Sequence, residues 1–114
     1  MRKWACFQEP VSYHGVMIRK VMFYQIPSGE TYVFLYGKEN AQISSADEWY
    51  PSLMDAHSAW DVIPHSDWIE ISDPVPGCQE DAADPVRVKG RVEGKPEWGR
   101  YEILCNGVWM DYKE

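Results

Sequence analysis

From Val16 to Ile26 apolar, β-branched and aromatic residues dominate without a breaker, and Thr31 to Tyr36 repeats the style after Pro27-Ser28-Gly29-Glu30. Two such runs joined by a Pro/Gly turn predict a β-hairpin. In the second run Tyr32, Phe34 and Tyr36 share one face, and Val33 and Leu35 share the other. Apolar residues on both faces mark a central strand, covered on both sides. Trp68 to Ile71 alternates and predicts a further strand. Val86 to Val92 alternates as well, with Val86, Val88 and Val92 opposed to Arg87, Lys89 and Arg91. Tyr101 to Cys105 and Val108 to Tyr112 flank Asn106-Gly107, the pair best suited to the positive φ angles of a type I′ hairpin. Residues 1–15, with Pro10 and Gly15 among scattered aromatics, predict an irregular entry with a short strand at Trp4 to Phe7.

Helical spacing occurs once. Ser45-Ala46-Asp47-Glu48 has the form of a capping box, but Pro51 would then fall inside the helix, where it removes a donor and clashes. A start near Pro51 is the better reading, because the first turn tolerates proline. Leu53, Ala56, His57 and Trp60 then form one buried stripe at i, i+3, i+4 and i+7, and Pro64 stops the helix. The resulting order predicts an α+β fold: a mostly antiparallel sheet of about five to six strands built from hairpins, with one short helix packed on it. Residues 1–114 read as one domain. Asp73 to Pro85, with three prolines and one glycine, is the longest loop and therefore a candidate for function.

Composition sharpens this picture in two respects. Six tryptophans are spread along the chain, each with a large apolar area and one donor to satisfy. Helical spacing predicts a core position for Trp60, whereas the turn-rich stretch around Trp98 predicts exposure. No apolar run approaches the ~20 residues of a membrane span, and no apolar segment follows Arg2 and Lys3 as a signal peptide would require. Cys6, Cys78 and Cys105 are odd in number and widely spaced, which argues against a disulfide framework and for a reducing, cytoplasmic setting.

The net charge of −7 is unevenly distributed. Between Glu39 and Val86 stand eleven acidic residues and no Lys or Arg, and the remainder holds seven acidic and eleven basic residues. The acidic block is a candidate surface for a basic protein partner, as in antitoxin-like or immunity-like proteins. The simpler alternative is that the two regions pack together and neutralise each other. Arg87, Lys89 and Arg91, with Trp98 and Arg100 nearby, form the best candidate binding row, able in principle to grip phosphates beside a stacking platform. The overall acidity argues against nucleic acid. Cross-strand pairing of this row with Glu70 or Glu102 is the competing reading.

Catalytic signals are weak. Cys78 in the loop is a candidate nucleophile if His57 or His65, oriented by Asp61 or Asp67, lies beside it. Carboxylates around Cys78 disfavour its thiolate. His57, Asp61, His65 and Cys78 are metal-ligand types, but their spacing matches no common zinc pattern, and neither a metal nor an organic cofactor is expected. The tripeptide Trp98-Gly99-Arg100 resembles that of the WGR nucleic-acid-binding domain. There it precedes a helix, whereas here it follows one, and the assignment is rejected. The stretch Trp68 to Leu104, with Asp73-Pro74-Val75-Pro76-Gly77-Cys78-Gln79, Pro85 to Arg91 and Pro96 to Arg100, resembles a set of small bacterial proteins of unknown function. That resemblance implies a bacterial origin and no activity. The expectation is a binding protein, with a small cysteine-dependent enzyme or a nucleic-acid-binding module as alternatives.

Overall fold

The computed structural model describes residues 1–114 and is an α+β fold of eight strands and one helix in two antiparallel sheets. The strands are β1 (Arg2–Tyr13), β2 (Val16–Gln25), β3 (Thr31–Tyr36), β4 (Ala46–Tyr50), β5 (Ile69–Ile71), β6 (Val86–Val88), β7 (Tyr101–Cys105) and β8 (Val108–Tyr112), with α1 at Leu53–Trp60 between β4 and β5. The first sheet has the order β4-β3-β2-β1-β5, and the second β6-β7-β8. The single sheet of the expectation is therefore split in two, because β6 pairs with β7 and not with the longer strands.

Both hairpins predicted from turn chemistry are present. The β2–β3 pair closes through Pro27 to Glu30, and β7–β8 turns at Asn106 (φ 50°) and Gly107 (φ 78°). A third hairpin replaces the irregular entry expected for residues 1–15. Residues 2–13 form one long strand, and the chain reverses at His14 (φ 48°) and Gly15 (φ 82°). Histidine is among the few non-glycine residues that enter the left-handed region with any frequency, so His14-Gly15 does what Asn106-Gly107 does. Pairing between β1 and β2 slips between Cys6 and Val11, where Pro10 has no N–H to offer. Across the slip Ile18 joins Val21 and Phe23 on one face, although an undisturbed strand would turn it to the other.

The segment 45–50 is also corrected. Ala46–Tyr50 is a strand paired with β3, in which Leu35 opposes Ala46 and Thr31 opposes Tyr50. The cap moves to Ser52, whose Oγ accepts from the Asp55 N–H at 3.1 Å. The helix that follows has the expected stripe, with Ala56 and Trp60 buried. The strand expected over residues 86–92 ends at Val88, because Gly90 takes φ +77° and the chain turns there. Val92 is consequently exposed while Val86 and Val88 are buried.

The alternation along β3 divides the core. Val33 and Leu35 join Ala5, Phe7, Ile18, Val21 and Phe23 beneath Ala56 and Trp60 of the helix. Phe34 and Tyr36 join Met22 on the opposite face, with Trp4, Tyr24, Ile71 and Ala83 around them. The chain has one helix for two apolar faces, so the second face is covered by the segment between β5 and β6. Irregular backbone that covers a core must still find hydrogen-bond partners. Arg2, nearly fully buried, supplies them: its Nε donates to the Ser72 carbonyl at 2.8 Å, and its Nη1 to those of Glu80 at 2.9 Å and Ala82 at 2.6 Å. The Tyr36 hydroxyl donates to the Asp81 carbonyl. The Asp81 carboxylate accepts from both the N–H and the hydroxyl of Ser44 at 2.9 and 2.8 Å. Lys20 is buried beside them, 4.4 Å from the Tyr36 ring centre, and donates to the Ala41 carbonyl.

The second sheet is tied on at the same place. Gln79 N–H donates to the Val86 carbonyl, the Gln42 side chain exchanges hydrogen bonds with Asp84, and the Glu114 carboxylate accepts from the backbone N–H groups of Gln42 and Ile43. No helix is long and apolar enough to cross a membrane.

Candidate functional site

The basic row is built from three short elements and is largely self-neutralised. On β6, Arg87 lies opposite Glu102 of β7; its Nε is 3.2 Å from the carboxylate, and its guanidinium stacks 3.9 Å from the Trp109 ring centre. Cross-strand pairing of opposite charges accounts for this contact. Lys89 reaches Asp111 at 2.8 Å, and Arg100 reaches Glu97 at 3.4 Å. The Asp111 carboxylate is held below its usual range by its hydrogen bond with Lys89, and the Lys89 ammonium is raised by the same bond. The acids that neutralise the row therefore come from its own segment, residues 97–111. Arg91 stands apart on the turn beyond β6 and forms no ion pair within 4.0 Å. Trp98 is 76 % exposed, in agreement with the turn-rich sequence around it.

The ion pairs of the basic row therefore involve none of the acidic block. The block's one ion pair with a fixed charge is that of Asp73 with the N-terminal ammonium, and Asp61 lies within hydrogen-bond distance of both His57 and His65. No Lys or Arg side chain comes within 4.0 Å of a carboxylate between residues 39 and 86, although at longer range Arg2 interacts with Asp73 and Asp81, Lys3 with Asp61 and Glu70, and Lys20 with Asp84 and Glu39. Three of the block's acids meet at one cleft of about 360 Å³, lined by Phe34, Ser44 and Asp47 on one side and residues 77–81 on the other, with Arg91 at its border. Register explains the convergence. Asp47 lies opposite Phe34 in the β3–β4 pair and so emerges on the face that the loop covers, where Glu80 and Asp81 come down. Asp47 and Glu80 are exposed, while Asp81 is buried and occupied by Ser44.

Cys78 rims this cleft and a smaller cavity of about 60 Å³ formed with Arg2, Ser72 and the rest of the loop. The smaller cavity has room for one or two waters. His57 and His65 are on the opposite face of the five-stranded sheet, against Phe23 and Trp68. The structure therefore does not bring the loop cysteine to a histidine. It brings the two histidines to each other through Asp61, whose carboxylate lies 2.7 Å from His57 Nδ1 and 3.2 Å from His65 Nε2. Asp67 is exposed and outside these contacts.

Of the residues singled out from sequence, Arg87, Lys89 and Arg100 sit in one self-paired patch, whereas Arg91 and Cys78 border the cleft. Nothing in the sequence joins Asp47 to Glu80: each stands in an adjacent acidic pair, Asp47-Glu48 and Glu80-Asp81, within the charge block. Their meeting depends on the β3–β4 register and the loop path, which no local pattern signals. No family model matches the chain, and neither a curated protein nor a solved structure matches it.

Proposed function

We propose that this chain is a non-catalytic interaction protein that presents the acidic cleft of Asp47 and Glu80 to a basic partner, in the manner of an antitoxin or immunity protein. One observation carries the reading: the eleven acids between residues 39 and 86 form no ion pair with a Lys or Arg within 4.0 Å, while Arg87, Lys89 and Arg100 are paired with Glu102, Asp111 and Glu97. Uncompensated charge raises association rates and selects partners of opposite sign. The cleft adds shape, since Phe34 at its floor and Gly77 to Gln79 at its rim leave room for the stem of a lysine or arginine while Asp47 and Glu80 meet its charge. The self-paired Arg87 row speaks against phosphate binding. The placement of Cys78 and the histidines on opposite faces speaks against cysteine catalysis.

Titration calorimetry with an arginine-rich peptide tests the reading. Binding should weaken as ionic strength rises past the point where the screening length falls to about 10 Å. The double substitution Asp47→Lys/Glu80→Lys should abolish it, while Asp67→Lys, away from the cleft, should leave most of it. Salt-independent binding, or equal losses in the two variants, would remove the cleft as the docking site.

A further inference from the structure

On the helix side of the sheet a chain of polar groups is assembled that the proposed interaction does not use. Lys3 belongs to the same face of β1 as Ala5 and Phe7, opposite Phe23 of β2 and Glu70 of β5. Its Nζ is 2.7 Å from His57 Nε2, and His57 Nδ1 is 2.7 Å from the Asp61 carboxylate. The donors can be assigned. Ionised Asp61 can only accept, so His57 Nδ1 carries a proton and its Nε2 presents a lone pair to Lys3. Trp68 closes the site, with its ring 5.4 Å from His57, 5.0 Å from His65 and 5.1 Å from the Lys3 nitrogen.

An amine, a base within hydrogen-bond reach and a carboxylate that orients the base form the arrangement used to activate nucleophiles. We infer that Lys3 is a reactive amine that condenses with small uncharged aldehydes, with His57 as its base and Asp61 as the group that orients His57. Burial of the ammonium lowers its pKa, against the smaller opposing effects of Asp61 and Glu70, and desolvated lysines are the ones that form Schiff bases. In the first step the Lys3 proton passes to His57 Nε2, and the Nζ lone pair forms a bond to the aldehyde carbon. The carbonyl π pair moves to oxygen, which recovers the proton from His57 to give a carbinolamine still protonated on nitrogen. Loss of one water, made from the hydroxyl and one nitrogen proton, then leaves the protonated imine. Nothing is oxidised or reduced. The carboxylates of Asp61 and Glu70 repel an anionic carbonyl compound, so an uncharged aldehyde is preferred over a keto or aldehydic acid.

The test uses the whole protein at neutral pH with glycolaldehyde and sodium cyanoborohydride, and follows each lysine by peptide mass spectrometry. Lys3 should be labelled at least about fivefold faster than the exposed Lys38 and Lys95, as expected of a desolvated lysine paired with a base. Labelling of Lys3 at or below their rate would overturn the inference. Glyoxylate, which is anionic, should show a smaller advantage for Lys3; an equal one would overturn the preference for uncharged partners. His57→Gln and the near-isosteric Asp61→Asn should each bring Lys3 down toward the rate of Lys38, with thermal unfolding curves showing which variant remains folded. Undiminished Lys3 labelling in a folded variant would remove His57 as the base. These outcomes are independent of peptide binding at the acidic cleft, which lies on the other face of the sheet.

Discussion

The Nη1 of Arg2 donates to the carbonyl of Ala82 at 2.6 Å, so a side chain near the start of β1 holds a loop 80 positions later in the sequence. Two further carbonyls, of Ser72 and Glu80, share the same guanidinium. Removing it leaves buried acceptors unpaired. Arg2→Met should therefore destabilise the protein by about 3–5 kcal/mol, as loss of one partner of a buried charged contact does. Arg2→Lys should recover only part, because an ammonium lacks the planar fork. Urea unfolding measures both; a loss below about 1 kcal/mol for Arg2→Met would mean that water satisfies the carbonyls.

Glu48 should prove a second organising residue, on the helix side. Its carboxylate accepts from the Tyr13 hydroxyl at 2.8 Å, the Tyr50 hydroxyl at 2.6 Å and the Trp60 indole N–H at 3.1 Å. Those donors come from β1, β4 and α1. Glu48→Ala is expected to cost about 2–3 kcal/mol, given three donors, two half-buried and one buried, left without an acceptor. Glu48→Gln is expected to cost less, since its carbonyl oxygen still accepts. The loss should also appear as a change in tryptophan emission, and an unaltered spectrum in Glu48→Ala would contradict the Trp60 contact.

Alkaline pH should unfold the protein through its tyrosines. Burial first, and the Glu48 hydrogen bond second, push Tyr50 up to about 12. Burial and Glu114 do the same for Tyr112, also to about 12, and burial raises Tyr36 further still. A phenol whose pKa is higher in the fold than in the unfolded chain contributes stability that is fully present below its ordinary value near 10. That contribution is lost as pH climbs from about 10 toward about 12. Phenolate absorbance should therefore rise together with loss of circular dichroism across this window. Independent titration of all seven tyrosines at the ordinary value, with the fold intact, would contradict these placements.

Gly90 and Gly94 offer a matched pair. Both have positive φ, 77° and 74°, but a Cβ on Gly90 would run into the Lys95 carbonyl, whereas one on Gly94 would meet nothing. Gly94→Ala should cost about 1 kcal/mol from the left-handed backbone alone. Gly90→Ala should cost clearly more, about 2–3 kcal/mol, because the turn beyond β6 must also open. Equal melting temperatures for the two variants would argue against the tight Lys95 contact.

Local chemistry along the chain determined a good part of the architecture. Asn106-Gly107 and Pro27 to Glu30 dictate their hairpins because few residue types accept those backbone angles or start those turns. Alternation dictates that β3 is covered on both faces, and helical spacing places Ala56 and Trp60 in the core. Other expectations failed where a distant partner decides. Ser45-Ala46-Asp47-Glu48 has a helix-start pattern, yet the free edge of β3 draws it into a strand. Residues 2–13 look irregular alone and become a strand because β2 and β5 flank them on either side. The candidate sites are still less local. A block of acids and a lone lysine are visible in the sequence, but which acids share a cleft and what Lys3 touches depend on strand register and on the loop path. Those follow from covering a second apolar face with a chain that has only one helix, a constraint that acts between residues 2 and 82 and leaves no trace in the residues between them.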